Sequence, residues 1–169
     1  MHHSIRVLNV ITMNNNWKRS IVGSTLLIVL LSLFFIRFPV IVLEGEKHTL
    51  YLKGDRFVLR WIHSVEKEEW LEEYVRDGQD LILTKTRFKT YGAGTPYTGE
   101  KVSTENGMVQ MEIHVRYPDL LITVSSNVET TLMVDNRTIP LYTHFRDFEA
   151  VRIRVHYLQI WDYLEVNSL

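Results

Sequence analysis

The sequence contains no cysteine, no acidic residue before Glu44 and few prolines, four among 169 residues. The absence of cysteine excludes a disulfide framework, a cysteine nucleophile and a zinc site with cysteine ligands. The chain also lacks the His-Glu-x-x-His pattern of zinc proteases, the acidic loop of EF-hands and the Gly-Lys-Ser/Thr loop that binds phosphates. We therefore expect no cofactor, and no motif indicates an enzyme.

Charge is also absent from a long stretch near the N-terminus. Residues 21–36 are uncharged, and with the mostly apolar residues after them the segment reaches the roughly 20 residues that cross a bilayer core of about 30 Å. Arg37 can extend to the headgroups, and Pro39 is expected to kink or end the helix. The alternative is a cleaved secretory signal, but its cleavage site needs small residues and the first alanine is Ala93. We predict a retained transmembrane anchor at residues 21–43.

The charges around this segment predict its orientation. Three basic residues precede it, Arg6, Lys18 and Arg19. Because basic residues stay on the cytoplasmic side, we expect residues 1–20 to be a cytoplasmic tail and residues 44–169 an extracytoplasmic domain. The tail and anchor hold four of the 19 basic residues and none of the 20 acidic ones, so the domain has 15 basic and 20 acidic residues, a net charge of −5. This charge argues against a nucleic-acid partner.

The domain shows the alternation that is typical of half-buried antiparallel strands. Inward-facing side chains occupy every second position in three segments, and turn-forming pairs separate such segments. The three faces are Phe57-Leu59-Trp61-His63, Val109-Met111-Ile113-Val115-Tyr117 and Val151-Ile153-Val155-Tyr157, and turns are predicted at Asp77-Gly78, Asn106-Gly107, Tyr117-Pro118-Asp119 and Asp135-Asn136. We predict an all-β fold of about seven to nine short strands, an antiparallel β-sandwich or a small barrel.

Two further segments extend this prediction. Residues 131–134 and 138–142, joined by Asp135-Asn136-Arg137, are predicted to form a hairpin. The C-terminal apolar residues fit either a helical stripe or a strand face. We favour a terminal element packed on the sheet over an interfacial membrane contact.

The densest polar stretch is residues 63–74, which hold five glutamates, one histidine and one serine. Several converging oxygens can bind a hard cation, but the spacing here does not require one, and a solvated acidic turn is the simpler interpretation. Ser64 beside His63 does not indicate a catalytic triad, because neighbouring strand residues point to opposite faces. His63 shares the inward face of its strand, so we expect a structural histidine, hydrogen-bonded to Glu73 or Tyr74 on the returning strand.

A second notable stretch, residues 91–97, reads Tyr-Gly-Ala-Gly-Thr-Pro-Tyr. Glycines permit a positive φ or the close approach of another group. The stretch is not a phosphate loop, since no following helix is predicted. We interpret it as a bulge or wide turn, with a ligand- or partner-contacting loop as the alternative.

Together, the two stretches resemble the bacterial family called domain of unknown function 1850. The resemblance covers about residues 50–155, and it rests on matching positions in both stretches: His63, Ser64, Val65, Glu66, Trp70, Glu72 or Glu73, Tyr74, Phe88, Gly92, Ala93, Gly94 and Pro96. It implies a small anchored or exported β-protein, often encoded beside tripartite ATP-independent periplasmic (TRAP) transporters of the TAXI type. It implies no enzymatic activity.

These observations favour an accessory or interaction protein of a TRAP-type uptake system, with the permease or the solute-binding protein as its partner. The alternative is a small-molecule or divalent-cation sensor. A hydrolase built from distant residues such as His114, Asp119 or His144 is the weakest hypothesis. The predicted ligand- or partner-binding residues are His63, Ser64, Glu66, Trp70, Glu72, Glu73, Tyr74, Gly92, Gly94 and Pro96.

Overall fold

The computed structural model of the chain describes residues 15–92, 94–95 and 101–166. The chain divides into two compact units, Met1–Ile36 and Arg37–Leu169. In the first unit the described residues form helix α1 (Asn15–Leu33), which carries no charged residue after Arg19. None of the helices in the described part of the chain is both long and apolar enough to cross a membrane.

The predicted anchor at residues 21–43 needs correction at its C-terminal end. Helix α1 ends at Leu33, and strand β1 (Arg37–Glu44) begins four residues later. Pro39 cannot donate a helical hydrogen bond, and the β-branched residues that follow it favour a strand. Residues 40–43 are each at most 1% exposed. These residues therefore belong to the core of the second unit.

The second unit is all-β, with eleven antiparallel strands among the described residues, more than the seven to nine expected. The strands after β1 are β2 (Thr49–Leu52), β3 (Arg56–Ile62), β4 (Glu69–Asp77), β5 (Asp80–Phe88), β6 (Lys101–Glu105), β7 (Met108–Tyr117), β8 (Asp119–Val124), β9 (Thr131–Val134), β10 (Arg137–Pro140) and β11 (Glu149–Gln159). Sheet A has the order β2-β1-β11-β8, and sheet B has the order β10-β9-β3-β4-β5-β7-β6.

One continuous hydrophobic core contains residues of both sheets. Sheet A contributes Ile41 and Ile153, and sheet B contributes Phe57 and Leu132, all at most 2% exposed. Two open sheets that share one core correspond to a sandwich-like fold. The three predicted inward faces are confirmed, except that Val115 is 41% exposed.

Three of the predicted turns, Asp77-Gly78, Asn106-Gly107 and Asp135-Asn136, each join two strands that pair with one another. Asn106-Gly107 and Asp135-Asn136 join their strands with positive φ at both positions, as a two-residue hairpin requires. At the C-terminus, β11 is followed by a short helix, α2 (Ile160–Glu165). The Tyr163 ring stacks on Phe38 of β1 at 4.7 Å, so the terminal element packs on sheet A as expected.

Candidate functional site

The loop that joins β3 to β4 carries the first sequence motif. The Lys67 N–H donates to the His63 carbonyl at 2.9 Å, and the His63 N–H donates to the Glu68 carbonyl at 2.7 Å. Lys67 adopts a left-handed conformation, with φ of 59°. These bonds close a tight loop that folds Glu66 back toward His63.

His63 lies at the base of this loop, one residue beyond the end of β3. Its Nδ1 accepts the backbone N–H groups of Val65 and Glu66 at 3.4 Å and contacts the Glu66 carboxylate. The imidazole stacks on Trp70, with ring centroids 5.5 Å apart, and the side chain is 17% exposed. The expected partners, Glu73 and Tyr74, are therefore wrong, because the tight loop supplies the contacts of His63 locally.

The second motif follows β5. The Thr95 backbone N–H and hydroxyl both donate to the Gly92 carbonyl, at 3.3 and 2.9 Å, which forms a turn. Gly94 lies inside this turn with φ of 84°, a conformation that favours glycine. Gly92 has no such φ, so its backbone conformation does not require glycine. The predicted turn is confirmed, while Ala93 and Pro96 lie outside the described residues.

The two motifs meet at Glu66 and Gly92. A Cβ placed on Gly92 would overlap the Glu66 carboxylate and would lie 2.7 Å from its Cδ. A second bond joins the same segments, since the Thr90 hydroxyl donates to the Glu68 carboxylate at 2.9 Å. Glycine at position 92 is therefore explained by the close approach of a side chain from the other motif.

Stacked rings support this junction. Trp70 is 6% exposed and packs against Trp61 at 5.8 Å and Phe88 at 4.9 Å, and Phe88 also meets Tyr91 edge-on at 5.2 Å. Aromatic pairs of this kind contribute about 0.5–1.5 kcal/mol each beyond the area that they bury. We call the four contacting motif residues, His63, Glu66, Trp70 and Gly92, the motif cluster.

Two large apolar side chains next to the motif cluster are exposed. Val65, in the middle of the β3–β4 loop, is 70% exposed, and Tyr91, beside Gly92, is 63% exposed. We call this pair the apolar tip. Neither was among the predicted site residues. Val65 is one of the matching motif positions, and Tyr91 is the neighbour of Gly92, but nothing in the sequence indicates that either side chain is exposed.

Glu72 and Tyr74 lie farther along β4, on the core-facing side with Trp70. The Tyr74 hydroxyl donates to the Glu72 carboxylate at 2.6 Å. Burial raises the pKa of Glu72, and the hydrogen bond from Tyr74 opposes this effect in part. Burial and the nearby Glu72 carboxylate also raise the pKa of Tyr74. These two predicted site residues form a separate pair, so Tyr74 is not the hydrogen-bond partner of His63 that we expected.

The remaining predicted residues are dispersed. Glu73 is paired with Val58 of β3, on the opposite face of β4 from Trp70, and it lines a groove of about 550 Å³. Ser64 is exposed in the β3–β4 loop, and the His63 Nδ1 faces the following backbone N–H groups. Of the ten predicted residues, the structure therefore brings His63, Glu66, Trp70 and Gly92 together.

Across the described ranges, no group of three or more His, Asp or Glu side chains is placed to hold a metal ion. The hydrolase candidates His114 and Asp119 lie on β7 and β8, in different sheets. The motif cluster instead offers a rigid loop with apolar side chains exposed beside it.

Comparison with known proteins identifies the chain. A family model described as Domain of unknown function (DUF1850) matches residues 57–141, which include both motifs and the strands from β3 to β10. No curated protein and no solved structure matches the chain. The chain belongs to the family of proteins with the domain of unknown function DUF1850.

Proposed function

We propose that this protein is an extracytoplasmic interaction domain, held at the membrane by its N-terminal segment, that binds a component of a TRAP-type uptake system. The observation that carries the proposal is the apolar tip, Val65 and Tyr91, exposed beside the buried motif cluster. Loops held on a rigid sheet commonly carry recognition, and tyrosine is enriched among the residues that dominate binding energy.

The motif cluster supports this proposal because it pre-organises the two segments that carry the tip. The close approach of Glu66 to Gly92 and the hydrogen bond from Thr90 to Glu68 connect the two segments before any partner binds. A rigid binding surface loses less conformational entropy on association. Such an arrangement suits a protein partner better than a catalytic cycle.

The membrane part of the proposal rests on the N-terminal sequence. Lys18 and Arg19 precede the uncharged residues 20–36, and the first acidic residue is Glu44. This pattern favours a cytoplasmic N-terminus and export of the β-domain. A tether at the membrane would also raise the local concentration of the domain near a membrane-bound partner. The choice of a TRAP permease or solute-binding protein as the partner rests on the family resemblance.

Photo-crosslinking in intact cells tests the interaction. A photo-reactive amino acid would replace Val65 or Tyr91 in the full chain, and Val102 as the control. Val102 is also apolar, is 52% exposed and lies on β6, an edge of the same sheet. We expect adducts with the permease or the solute-binding protein from positions 65 and 91 only. If neither position 65 nor position 91 forms an adduct with the permease or the solute-binding protein, the proposal is overturned.

Topology needs its own measurement. Protease added to intact cells whose outer layers are opened should digest the β-domain, and alkaline carbonate should leave the full chain in the membrane pellet. Digestion only in inverted vesicles would place the domain in the cytoplasm. Either that result or extraction by carbonate would refute the membrane part of the proposal. The crosslinking experiment tests the interaction independently of topology.

The groove at Glu73 favours small-molecule binding as a second candidate function. Its volume of about 550 Å³ is within the range of small-ligand sites. The lining includes an apolar pair, Val58 and Met133, and four charged residues, Arg56, Glu73, Asp135 and Arg137. Charges of both signs suit a zwitterionic or carboxylic ligand. Calorimetric titration of the full chain with amino acids and carboxylic acids tests this candidate, and no heat across the panel would eliminate it.

A further inference from the structure

The edge strands of the two sheets are protected to different degrees. The outer strands are β2 and β8 in sheet A and β6 and β10 in sheet B. Exposed edges are commonly protected by short length, charge or proline. Strands β2 and β10 have four residues each, Pro140 ends β10, and β6 has five residues. Each of these three edges therefore has some protection.

Strand β8 is the exception. It has six residues, and after Asp119 it reads Leu-Leu-Ile-Thr-Val, without charge or proline. One side pairs with β11, and the other has no strand partner in the described part of the chain. Leu121 is 69% exposed in the middle of this strand. A long apolar edge of this kind can pair with another strand.

A second unusual feature lies at the end of β8. Phe148 is 66% exposed and has a φ of 63°, which is rare for a bulky residue. Its N–H donates to the Val124 carbonyl at 2.7 Å, and the adjacent Asp147 carboxylate accepts the Ser126 N–H at 2.7 Å. These bonds hold a strained aromatic residue in solvent beside the strand. Backbone strain of this kind concentrates at functional positions.

We propose that β8 is the interface between two copies of this chain, joined by antiparallel pairing of their β8 strands. Such an interface is isologous, so the edge must be complementary to itself. Asp119 is the only charged residue of β8, and Arg152 lies 3.7 Å from it. With the two-fold axis at Leu121, the exposed apolar residue in the middle of the strand, Asp119 faces Thr123, which is uncharged. The paired edges therefore carry no like-charge contact.

The pairing also satisfies the exposed backbone of the edge. Two six-residue strands form about six hydrogen bonds, because alternate residues of each strand point their N–H and C=O groups toward the other. It would join the two four-stranded A sheets into one sheet of eight strands. Leu121 of each copy would lie within the pairing, near Leu121 of the other copy. The proposal does not depend on the transporter partner.

Sedimentation equilibrium of the purified full chain in mild detergent tests this interface. We expect a dimer, and Leu121→Lys should raise its Kd at least tenfold, because two lysines meet across the axis. Val102→Lys, on the β6 edge, is the matched control and should leave the Kd unchanged. A chain that stays monomeric, or a dimer that Leu121→Lys leaves intact, would overturn the proposal.

Crosslinking gives a readout that does not depend on a charged variant. Because the chain has no cysteine, Leu121→Cys or Thr123→Cys introduces one thiol per copy. Both side chains are exposed, so the fold should tolerate either change. We expect oxidative crosslinks between copies from at least one of them and not from Val102→Cys. Equal crosslinking at all three positions, or at Val102→Cys alone, would contradict pairing through β8.

Discussion

The Glu66 carboxylate occupies the space that a Cβ at Gly92 would need. The two residues belong to different motifs, one in the β3–β4 loop and the other after β5. Gly92 has no positive φ, so glycine is needed there for space and not for backbone conformation. The motifs are therefore linked sterically, and a substitution at one of these two positions should change the packing at the other.

Replacing Gly92 with alanine tests this link. The new Cβ would force the Glu66 side chain away and break its contact with His63. We expect a loss of about 1 kcal/mol in the free energy of unfolding, at the low end of the cost of adding a methyl group to a packed site, because the Glu66 carboxylate is the flexible end of its side chain. Urea denaturation of wild type and variant would measure this loss.

The control for this prediction is Gly54→Ala. A Cβ on Gly54 would lie 3.6 Å from the nearest atom, an ordinary contact, so the stability should change little. The double variant Glu66→Ala with Gly92→Ala should be no less stable than Glu66→Ala alone, because the clash has been removed. Additive losses in the double variant would show that Gly92 has another role.

The motif residues could be predicted from sequence, but their contacts could not. Alternation placed His63 on the face of Trp61, and the structure indeed stacks it over the core-facing Trp70. Its partner was mispredicted because β3 ends at Ile62, and the left-handed turn at Lys67 then brings Glu66 back to the imidazole. A residue pattern of period two contains no information about such a turn.

The fold was predictable where one strand face is buried and the other is exposed. Strand β11 shows this alternation and was predicted correctly. Strand β1 was missed, because residues 40–43 are buried on both faces and read as one apolar run. That run is nearly continuous with the apolar part of α1, so composition alone assigned it to the anchor. Pro39 was expected to kink or end the helix, but the helix ends at Leu33 and Pro39 lies within β1, where pairing with β11 and β2 identifies the strand.

Glu72→Gln should stabilise the protein at neutral pH. Burial raises the pKa of Glu72, so the folded state binds its proton more tightly than the unfolded state. Stability is then lost as pH rises from the unfolded value of about 4.3 through the raised folded pKa. Glutamine removes this ionisation and still offers Tyr74 an oxygen. We expect a higher Tm than wild type at pH 7 and a shrinking difference toward pH 4. A lower Tm across this pH range would contradict it.

Glu44→Gln should have the opposite pH dependence. The Glu44 carboxylate accepts two hydrogen bonds from Arg154, at 2.6 and 2.9 Å, and these bonds lower its pKa. The stabilisation is therefore complete above the unfolded pKa and lost as pH falls through the lowered folded value. We expect the variant to lose up to about 1 kcal/mol at pH 7, since the pair is partly exposed.

The same pH series of thermal unfolding measures both variants. The lower Tm of Glu44→Gln should return to the wild-type value in acid, where the higher Tm of Glu72→Gln also returns to it. Each variant removes one negative charge, so an effect of net charge alone would change both proteins in the same direction. Parallel changes in the two Tm profiles would therefore refute the assignment of opposite local causes.

Substitutions of His63 separate its polar contacts from its ring stacking. His63→Asn keeps an acceptor near the Val65 and Glu66 N–H groups and loses the stack on Trp70, whereas His63→Phe keeps the stack alone. His63→Ala loses both, and we expect it to cost about 2 kcal/mol, with the other two variants between it and wild type. Thermal unfolding would rank them. If His63→Ala melts like wild type while crosslinking from Val65 is lost, His63 contacts the partner and is not a structural residue.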